Sequence, residues 1–497
     1  MTDPSHLERL RAELAGPMPH PDPETLRAQG DQVLGWVLHH FTSLAEQPVG
    51  LTASRAAMEA LLREPAPEQG DDFARVLADF RDKVAPFAFR VNHPRFLAFV
   101  PGAPTFLSVL GDMLCAGTNF FAGVWLEAAG PSEVELVVLD WLRTFLGYPA
   151  EARGILTSGG SEANLTALLV AREGLSFADR PRAVLYVTEQ RHGSIDRAAQ
   201  VIGLRPDQLH RVPAGDDFLL QPTALAGAVA GDRQAGRLPW AVVANAGTTN
   251  TGAVDPLADL GRLCRREQLW LHVDAAYGWP AILTPEGKAV LDGIAGADSI
   301  TLDPHKWFGQ TFEVGCVLVR DGQRLAATFR LRPDYLQDVE PAGDEVNFAD
   351  QGLALTRRFR ALKIWLSVKV LGVAWFRALV ARSCRLAELA QRLLEGAGAF
   401  EILSPRRLSI VCFRYRPPQP AAEEALDGLN LALADGLRAT GRAFLSSTRL
   451  HGRVALRLCF VNWRTTAADV EEVVQLLLAI GQRLAARLEP GQGPDKT

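Results

Sequence analysis

The stretch LWLHVDAAYG (269–278), followed by ADSITLDPHKW (297–307), decides the fold. Each holds a short apolar run that ends on a chemically active side chain, Asp274 in the first and Lys306 in the second. A strand with one solvated face alternates apolar and polar residues; these runs do not, so both of their faces are covered. Similar runs recur at GILTS (154–158), AVLYVT (183–188), AVVANAG (241–247) and CVLVR (316–320), with helical patterns at 161–172 and 257–268 between them. Buried strands separated by helices predict an α/β domain built on a mainly parallel sheet.

Outward from this centre the pattern changes twice. Near the start, Leu26, Val33, Leu34, Val37, Leu38 and Phe41 fall on one helical stripe, and Phe73, Val76, Leu77, Phe80 and Val84 on another, with the Pro-rich link EPAPEQG (64–70) between them. Two such helices cannot bury both stripes against each other alone, so the segment is expected to cover another domain or another subunit. After about Val373 come a helix carrying Leu386, Leu389 and Leu393, the strands RLSIVCFRY (407–415) and VALRLCFVN (454–462), and a helix with Val470, Val473, Val474 and Leu477. The expected division is a helical segment over 1–85, a large α/β domain over 86–373 and a small α+β domain over 374–497.

The chain has 497 residues, 48% of them hydrophobic and 22% charged, a balance that excludes a disordered or collagen-like protein. Lys plus Arg total 52 against 57 Asp plus Glu, so the net charge of -5 gives no general reason to bind nucleic acid or an anionic membrane. A small-molecule partner is expected. Cys115, Cys264, Cys316, Cys384, Cys412 and Cys459 are scattered singly and read as reduced core residues; no metal site is expected. The start, MTDPSHLERLRAEL, is polar, and nowhere do 18 consecutive apolar residues occur. A cytoplasmic location is the expectation.

Three features could do chemistry. TSGGSEAN (157–164) places two glycines and Ser161 where a strand gives way to a helix, a turn that suits a phosphate because backbone N–H groups and the helix N-terminus both favour an anion. By itself it is also an ordinary tight turn. Asp274 ends a buried strand where α/β sheets hold ligands, although a turn carboxylate would look the same. Lys306 is a surface lysine unless buried; burial would disfavour its charged form and make the amine nucleophilic. Together, a phosphate cradle, a carboxylate for a pyridine nitrogen and a lysine for an aldehyde are the three handles of pyridoxal phosphate. His192, in RHGSI, could stack on its ring, and Thr248, in NAGTTNTG, could reach a ring substituent.

The sequence resembles the group II pyridoxal-phosphate-dependent amino-acid decarboxylases, especially the aromatic-L-amino-acid decarboxylase branch. The resemblance is carried, in one order, by NHPRFLAFVPG (92–102), DMLCAG (112–117), TSGGSEANLTALL (157–169), HGSI (192–195), AGTTNTGAVDPL (246–257), WLHVDAAYG (270–278), ADSITLDPHKW (297–307) and RRFRALKIW (357–365). It implies a fold type I enzyme with a seven-stranded, mainly parallel sheet, acting as a homodimer whose N-terminal helices pack on the other subunit. It implies that Lys306 binds the cofactor aldehyde, Asp274 pairs with the pyridine nitrogen, His192 stacks on the ring, Gly160, Ser161 and His305 hold the phosphate, and Thr248 and Ala276 flank the ring.

The reaction so implied is loss of CO2 from an aromatic L-amino acid to give its amine. Tyr335, in FRLRPDYLQD (329–338), matches a loop tyrosine that returns a proton to carbon. Relatives with phenylalanine there are oxidative aldehyde synthases, which makes that activity the alternative, with a non-catalytic cofactor-binding scaffold as a third reading. Phe99, Pro101, Phe121, Gly123 and Thr356 match substrate-pocket positions, and their apolar, aromatic character suits a ring-bearing side chain. One departure stands out: where relatives often have Asn, this chain has Asp303, a carboxylate that would repel a nearby phosphate unless turned away or hydrogen-bonded elsewhere.

Overall fold

The computed structural model describes residues 4–331, 338–419 and 422–486. Contact density separates Met1–Phe89 from Arg90–Thr497, and both sheets lie within the second unit. In the first unit the helix Pro23–Thr42 starts at Asp22, whose carboxylate accepts from the N–H groups of Glu24 and Thr25. No residue of this helix is buried, and Leu26, Val33 and Leu38 are exposed, as is Val76 on the helix Phe73–Asp79. Both stripes expected from the sequence exist, and neither is fully covered within the chain.

The larger sheet contains β1 (Arg153–Thr157), β2 (Ala183–Val187), β3 (Leu209–Arg211), β4 (Leu238–Asn245), β5 (Trp270–Asp274), β6 (Ser299–Leu302) and β7 (Gly315–Val319). Its order is β1-β7-β6-β5-β4-β2-β3. All neighbours run parallel except β7, which is antiparallel to both β1 and β6. This is a seven-stranded fold type I sheet. β2 and β7 are buried along their whole lengths, as unbroken apolar runs require. The three-residue β3 has no such run and lies at the far edge, so its sequence carries no strand signal.

The smaller sheet holds β8 (Phe400–Ile402), β9 (Ile410–Tyr415), β10 (Ser446–Leu450) and β11 (Arg453–Cys459), in the antiparallel order β10-β11-β9-β8. Leu386, Leu433, Leu458 and Leu477 share its core with Leu97, a residue that the sequence pattern groups with the larger sheet. Leu97 N–H donates to the Phe444 carbonyl at 2.8 Å and its own carbonyl accepts from Cys459 N–H at 3.0 Å. The helix Ala361–Gly396 breaks at Gly372 (φ 73°, ψ 154°), one residue before the expected change of pattern. By length and composition that helix could cross a membrane. Phe376, Val380, Ala387 and Leu394 on it are buried.

The edge strand β1 is closed by an ion pair. Leu156 faces its N–H and carbonyl away from β7; the N–H donates to Glu135 Oε1 at 3.0 Å and the carbonyl accepts from Arg357 Nη1 at 3.0 Å. Glu135 and Arg357 also pair with each other and are 0% and 3% exposed. The pair thus occupies an edge that would otherwise template another strand. Glu135→Ala leaves the guanidinium buried without its partner and should cost about 3–5 kcal/mol, read as a fall in the urea midpoint; an unchanged midpoint would contradict this account.

Candidate active site

The carboxyl ends of the parallel strands put the reactive groups together. Register places Asn245 of β4 beside Asp274 of β5, and Asp274 beside Thr301 of β6. One cavity of about 340 Å³ opens above these ends, and Gly160, Ser161, His192, Thr248, Asp274, Ala276, His305 and Lys306 all line it. Eight positions singled out in the sequence therefore meet at one place. Ser158, Asn164, Ser194, Asn245, Tyr277 and Asp303 line it as well.

The glycine turn behaves as its sequence suggests. β1 ends at Thr157, and after Ser158 and Gly159 the helix Gly160–Glu173 starts with its N-terminus at the cavity. A Cβ on Gly160 would stand 2.8 Å from Asp303 Oδ2 and 3.3 Å from the Ala276 methyl, so any side chain there would fill the cradle. On the other side, a Cβ on Gly102 would meet the Lys306 carbonyl at 1.6 Å, which shows how closely residues 101–103 cover the lysine backbone.

Lys306 Nζ lies 3.1 Å from Asp303 Oδ2, and His305 Nε2 lies 3.7 Å from the same oxygen. Asp303 is 2% exposed, and its Oδ1 has no hydrogen-bond partner among the described residues. Burial pushes this carboxyl up to about 6 against the opposing pull of Lys306. Burial, reinforced by Lys306, pushes His305 down to about 4, and burial likewise lowers His192. At neutral pH both rings are therefore uncharged. Asp274 is better supplied: Oδ2 accepts from Asn164 Nδ2 at 3.0 Å and Oδ1 from Ala276 N–H at 3.1 Å.

Thr248 sits on a loop that is tied down from outside the larger sheet. Its Oγ1 accepts from Ala253 N–H at 3.1 Å, while Arg457 of β11 donates to the carbonyls of Thr249 and Asn250, the latter at 2.7 Å. These residues fit pyridoxal phosphate: an amine for the aldehyde, a carboxylate with two donors for the pyridinium, an imidazole beside it, and a glycine turn opening a helix for the phosphate.

The substrate-pocket positions are placed differently. Phe99, Pro101, Phe121, Gly123 and Thr356 are not in the cavity wall. Phe99 is exposed with φ 53°, and Thr356 is exposed next to the buried Arg357. Phe121 and Gly123 adjoin that segment, since Ala122 N–H donates to the Arg357 carbonyl at 3.0 Å. Tyr335 lies outside the described residues. Sequence reasoning passed over Asn164 and His272. Asn164 is one helical turn beyond Gly160, and His272 is two residues before Asp274, hence on the same face of β5.

Comparison with known proteins agrees with this geometry. Residues 56–416 match the model of the pyridoxal-dependent decarboxylase conserved domain. The aromatic-L-amino-acid decarboxylase of Bacillus atrophaeus is 41% identical over 463 residues, 93% of this chain and 96% of that protein. The phenylacetaldehyde synthase of Arabidopsis thaliana is 30% identical, over 92% of this chain and 96% of that protein. The crystal structure of Oryza sativa TDC with PLP and tryptamine superposes with a TM-score of 0.90 at 28% identity, covering 94% of this chain and all of that one. The chain belongs to the pyridoxal-dependent decarboxylase family and is a pyridoxal-phosphate-dependent carboxy-lyase.

Proposed function

We propose that this enzyme decarboxylates an aromatic L-amino acid to the corresponding amine, and that it works as a homodimer. One observation carries the reading: Lys306, Asp274 and His192 line a single cavity in a chain 41% identical to an aromatic-L-amino-acid decarboxylase. Pyridoxal phosphate supplies an electron sink for the pair left behind when CO2 departs. The protein supplies the rest. Lys306 Nζ offers the amine that holds the cofactor aldehyde, and the Asp303 carboxyl lies 3.1 Å from that nitrogen. Asp274 keeps a proton on the ring nitrogen, because an anion at that point favours the pyridinium. His192 covers a ring face, and Gly160, Ser161 and His305 take the phosphate. By resemblance, Tyr335 returns a proton to the α-carbon.

What one chain leaves uncovered supports the homodimer. Leu26, Val33 and Leu38 in the first unit are exposed, and so are Phe99, Met113, Leu114, Phe120 and Leu355 in the second. Exposed apolar side chains of this size in each unit are available to a protein partner. In this reading the second copy covers them and completes the substrate wall at Phe99, Pro101, Phe121, Gly123 and Thr356, which a single chain leaves outside the cavity.

Purified enzyme incubated with a panel of amino acids, with CO2, amine, aldehyde and peroxide all measured, should give amine and CO2 in equal amounts from aromatic substrates. Stoichiometric aldehyde and peroxide would mean an aldehyde synthase instead, as in the Arabidopsis relative's name. Lys306→Ala should abolish both the protonatable imine absorbance and turnover. Tyr335→Phe should keep the cofactor but shift product toward aldehyde; amine made at the parental rate would remove Tyr335 from its assigned step.

Asp303 adds a pH signature in the cofactor-free protein. A carboxyl raised to about 6 binds its proton more tightly in the folded chain than in the unfolded one. Its stabilising contribution is therefore complete below the unfolded value near 4 and lost as pH rises through about 6, an effect of at most about 3 kcal/mol. The melting temperature of Asp303→Asn relative to the parent should accordingly rise between pH 4 and pH 7. A constant difference across that range would contradict the assignment.

A further inference from the structure

Behind Asp274 runs a buried chain of hydrogen bonds that the reaction as described does not use. Asn164 Nδ2 lies 3.0 Å from Asp274 Oδ2 and 2.9 Å from Ser194 Oγ, and Asn164 Oδ1 lies 2.9 Å from His272 Nε2. His272 Nδ1 is 2.9 Å from Ser299 Oγ, which is 2.9 Å from Trp270 Nε1. At the other end, Ser194 Oγ is 2.8 Å from His192 Nδ1. Asn164, His272 and Ser299 are 1%, 0% and 0% exposed, out of reach of bulk solvent.

Donor and acceptor chemistry fixes the direction of every link. A carboxylate oxygen only accepts, so the Asn164 atom facing Asp274 is the amide nitrogen, not the oxygen. Its two hydrogens go to Asp274 and Ser194, which leaves Asn164 Oδ1 as an acceptor and puts a proton on His272 Nε2. Burial pushes His272 down to about 4, so the ring is neutral at pH 7 and its bare Nδ1 accepts from the Ser299 hydroxyl. Ser299 then accepts from the Trp270 indole N–H, which can only donate. On the far side Ser194 has accepted from Asn164 and spends its own hydrogen on His192 Nδ1. Ser194 N–H points to the same ring nitrogen at 3.3 Å.

We propose that Asn164 is a positioning residue that serves two arms of the site at once: it aims the Asp274 carboxylate at the cofactor ring nitrogen and, through Ser194, holds His192 as the Nε2–H tautomer, with His272 locking the amide in the orientation both arms need. The inference rests on the assignment of Asp274 to the ring nitrogen. A loose Asn164 could rotate its amide and turn an oxygen toward Asp274; the His272 N–H makes that rotation unfavourable. The signal was present in the sequence as His272 and Asp274 at i and i+2 on β5, with Ser299 directly opposite His272 in the β5/β6 register.

The test uses full-length holoenzyme, with pyridoxal phosphate affinity and the visible absorption of the bound cofactor measured alongside turnover. A hydrogen bond to a charged group is worth enough that Asn164→Ala should weaken cofactor binding about 10- to 100-fold and change the absorption. Ser194→Ala should leave affinity within about threefold and lower kcat, because it removes the hydroxyl link to His192 while the Asn164–Asp274 bond remains. His272→Gln, whose amide nitrogen reproduces the donated N–H, should retain parental affinity, whereas His272→Leu should behave like Asn164→Ala. The proposal is overturned if Asn164→Ala keeps parental affinity and spectrum, or if His272→Gln falls as far as His272→Leu. Should Asn164→Ala fail to fold, the two His272 variants decide the matter. Asp274→Ala separates the two levels: full cofactor affinity in that variant would remove the ring-nitrogen assignment itself.

Discussion

Two buried carboxylates share one cavity with the partly exposed amine of Lys306, and this electrostatic constraint shapes the site around them. Asp274 and Asp303 are 7% and 2% exposed, and an ionised carboxylate taken out of water costs several kcal/mol unless it is paired and hydrogen-bonded. The two solve the problem differently. Asp303 is paired with Lys306 and remains under-satisfied, so its carboxyl is pushed up to about 6. Asp274 receives two N–H donors, from Asn164 and from the backbone at Ala276. One carboxylate is thereby readied to face a cation on the ring, and the other sits beside the amine. The division between them follows from which donors the strand ends and the first helix bring within reach.

The parallel sheet is what makes such a division available. Parallel strands end together, so residues far apart in the chain arrive side by side, as Asn245, Asp274 and Thr301 do. This explains why so much could be read from sequence. An unbroken apolar run marks a buried strand, and the polar residue that closes it marks the ligand end. Asp274 and Lys306 were legible for that reason, and the glycines before Ser161 were legible because a helix N-terminus next to a strand end has a strong chemical meaning. Asn164 and His272 were not singled out, since each looks like an ordinary buried polar residue until register and helix rotation show that they face each other. Glu135 and Arg357 escaped notice for a similar reason: 222 positions separate them, and nothing local announces that they close the same strand edge. The short strands β3, β8 and β10 lack apolar runs, and their place depends on neighbours already in the sheet.

The smaller sheet also has a part in the chemistry that its sequence does not advertise. Arg457, 3% exposed on β11, donates to two carbonyls of the loop that carries Thr248, and its Nη1 donates to Ser446 Oγ on β10 at 2.8 Å. Thr448 Oγ1 donates to Asn250 Oδ1 at 2.9 Å, and a Cβ on Gly252 would meet the Arg407 carbonyl at 2.6 Å. The Tyr277 hydroxyl, next to Ala276, accepts from Ser409 N–H at 3.0 Å. The loop therefore cannot relax away from the cavity without breaking charge-assisted hydrogen bonds to a different sheet, and such bonds are about twice as strong as neutral ones. A second sheet that only enlarged the core would need apolar contacts alone. Placing a buried guanidinium against two backbone carbonyls commits the sheet to one position relative to Thr248, and a cofactor wall needs that fixed position more than it needs further burial.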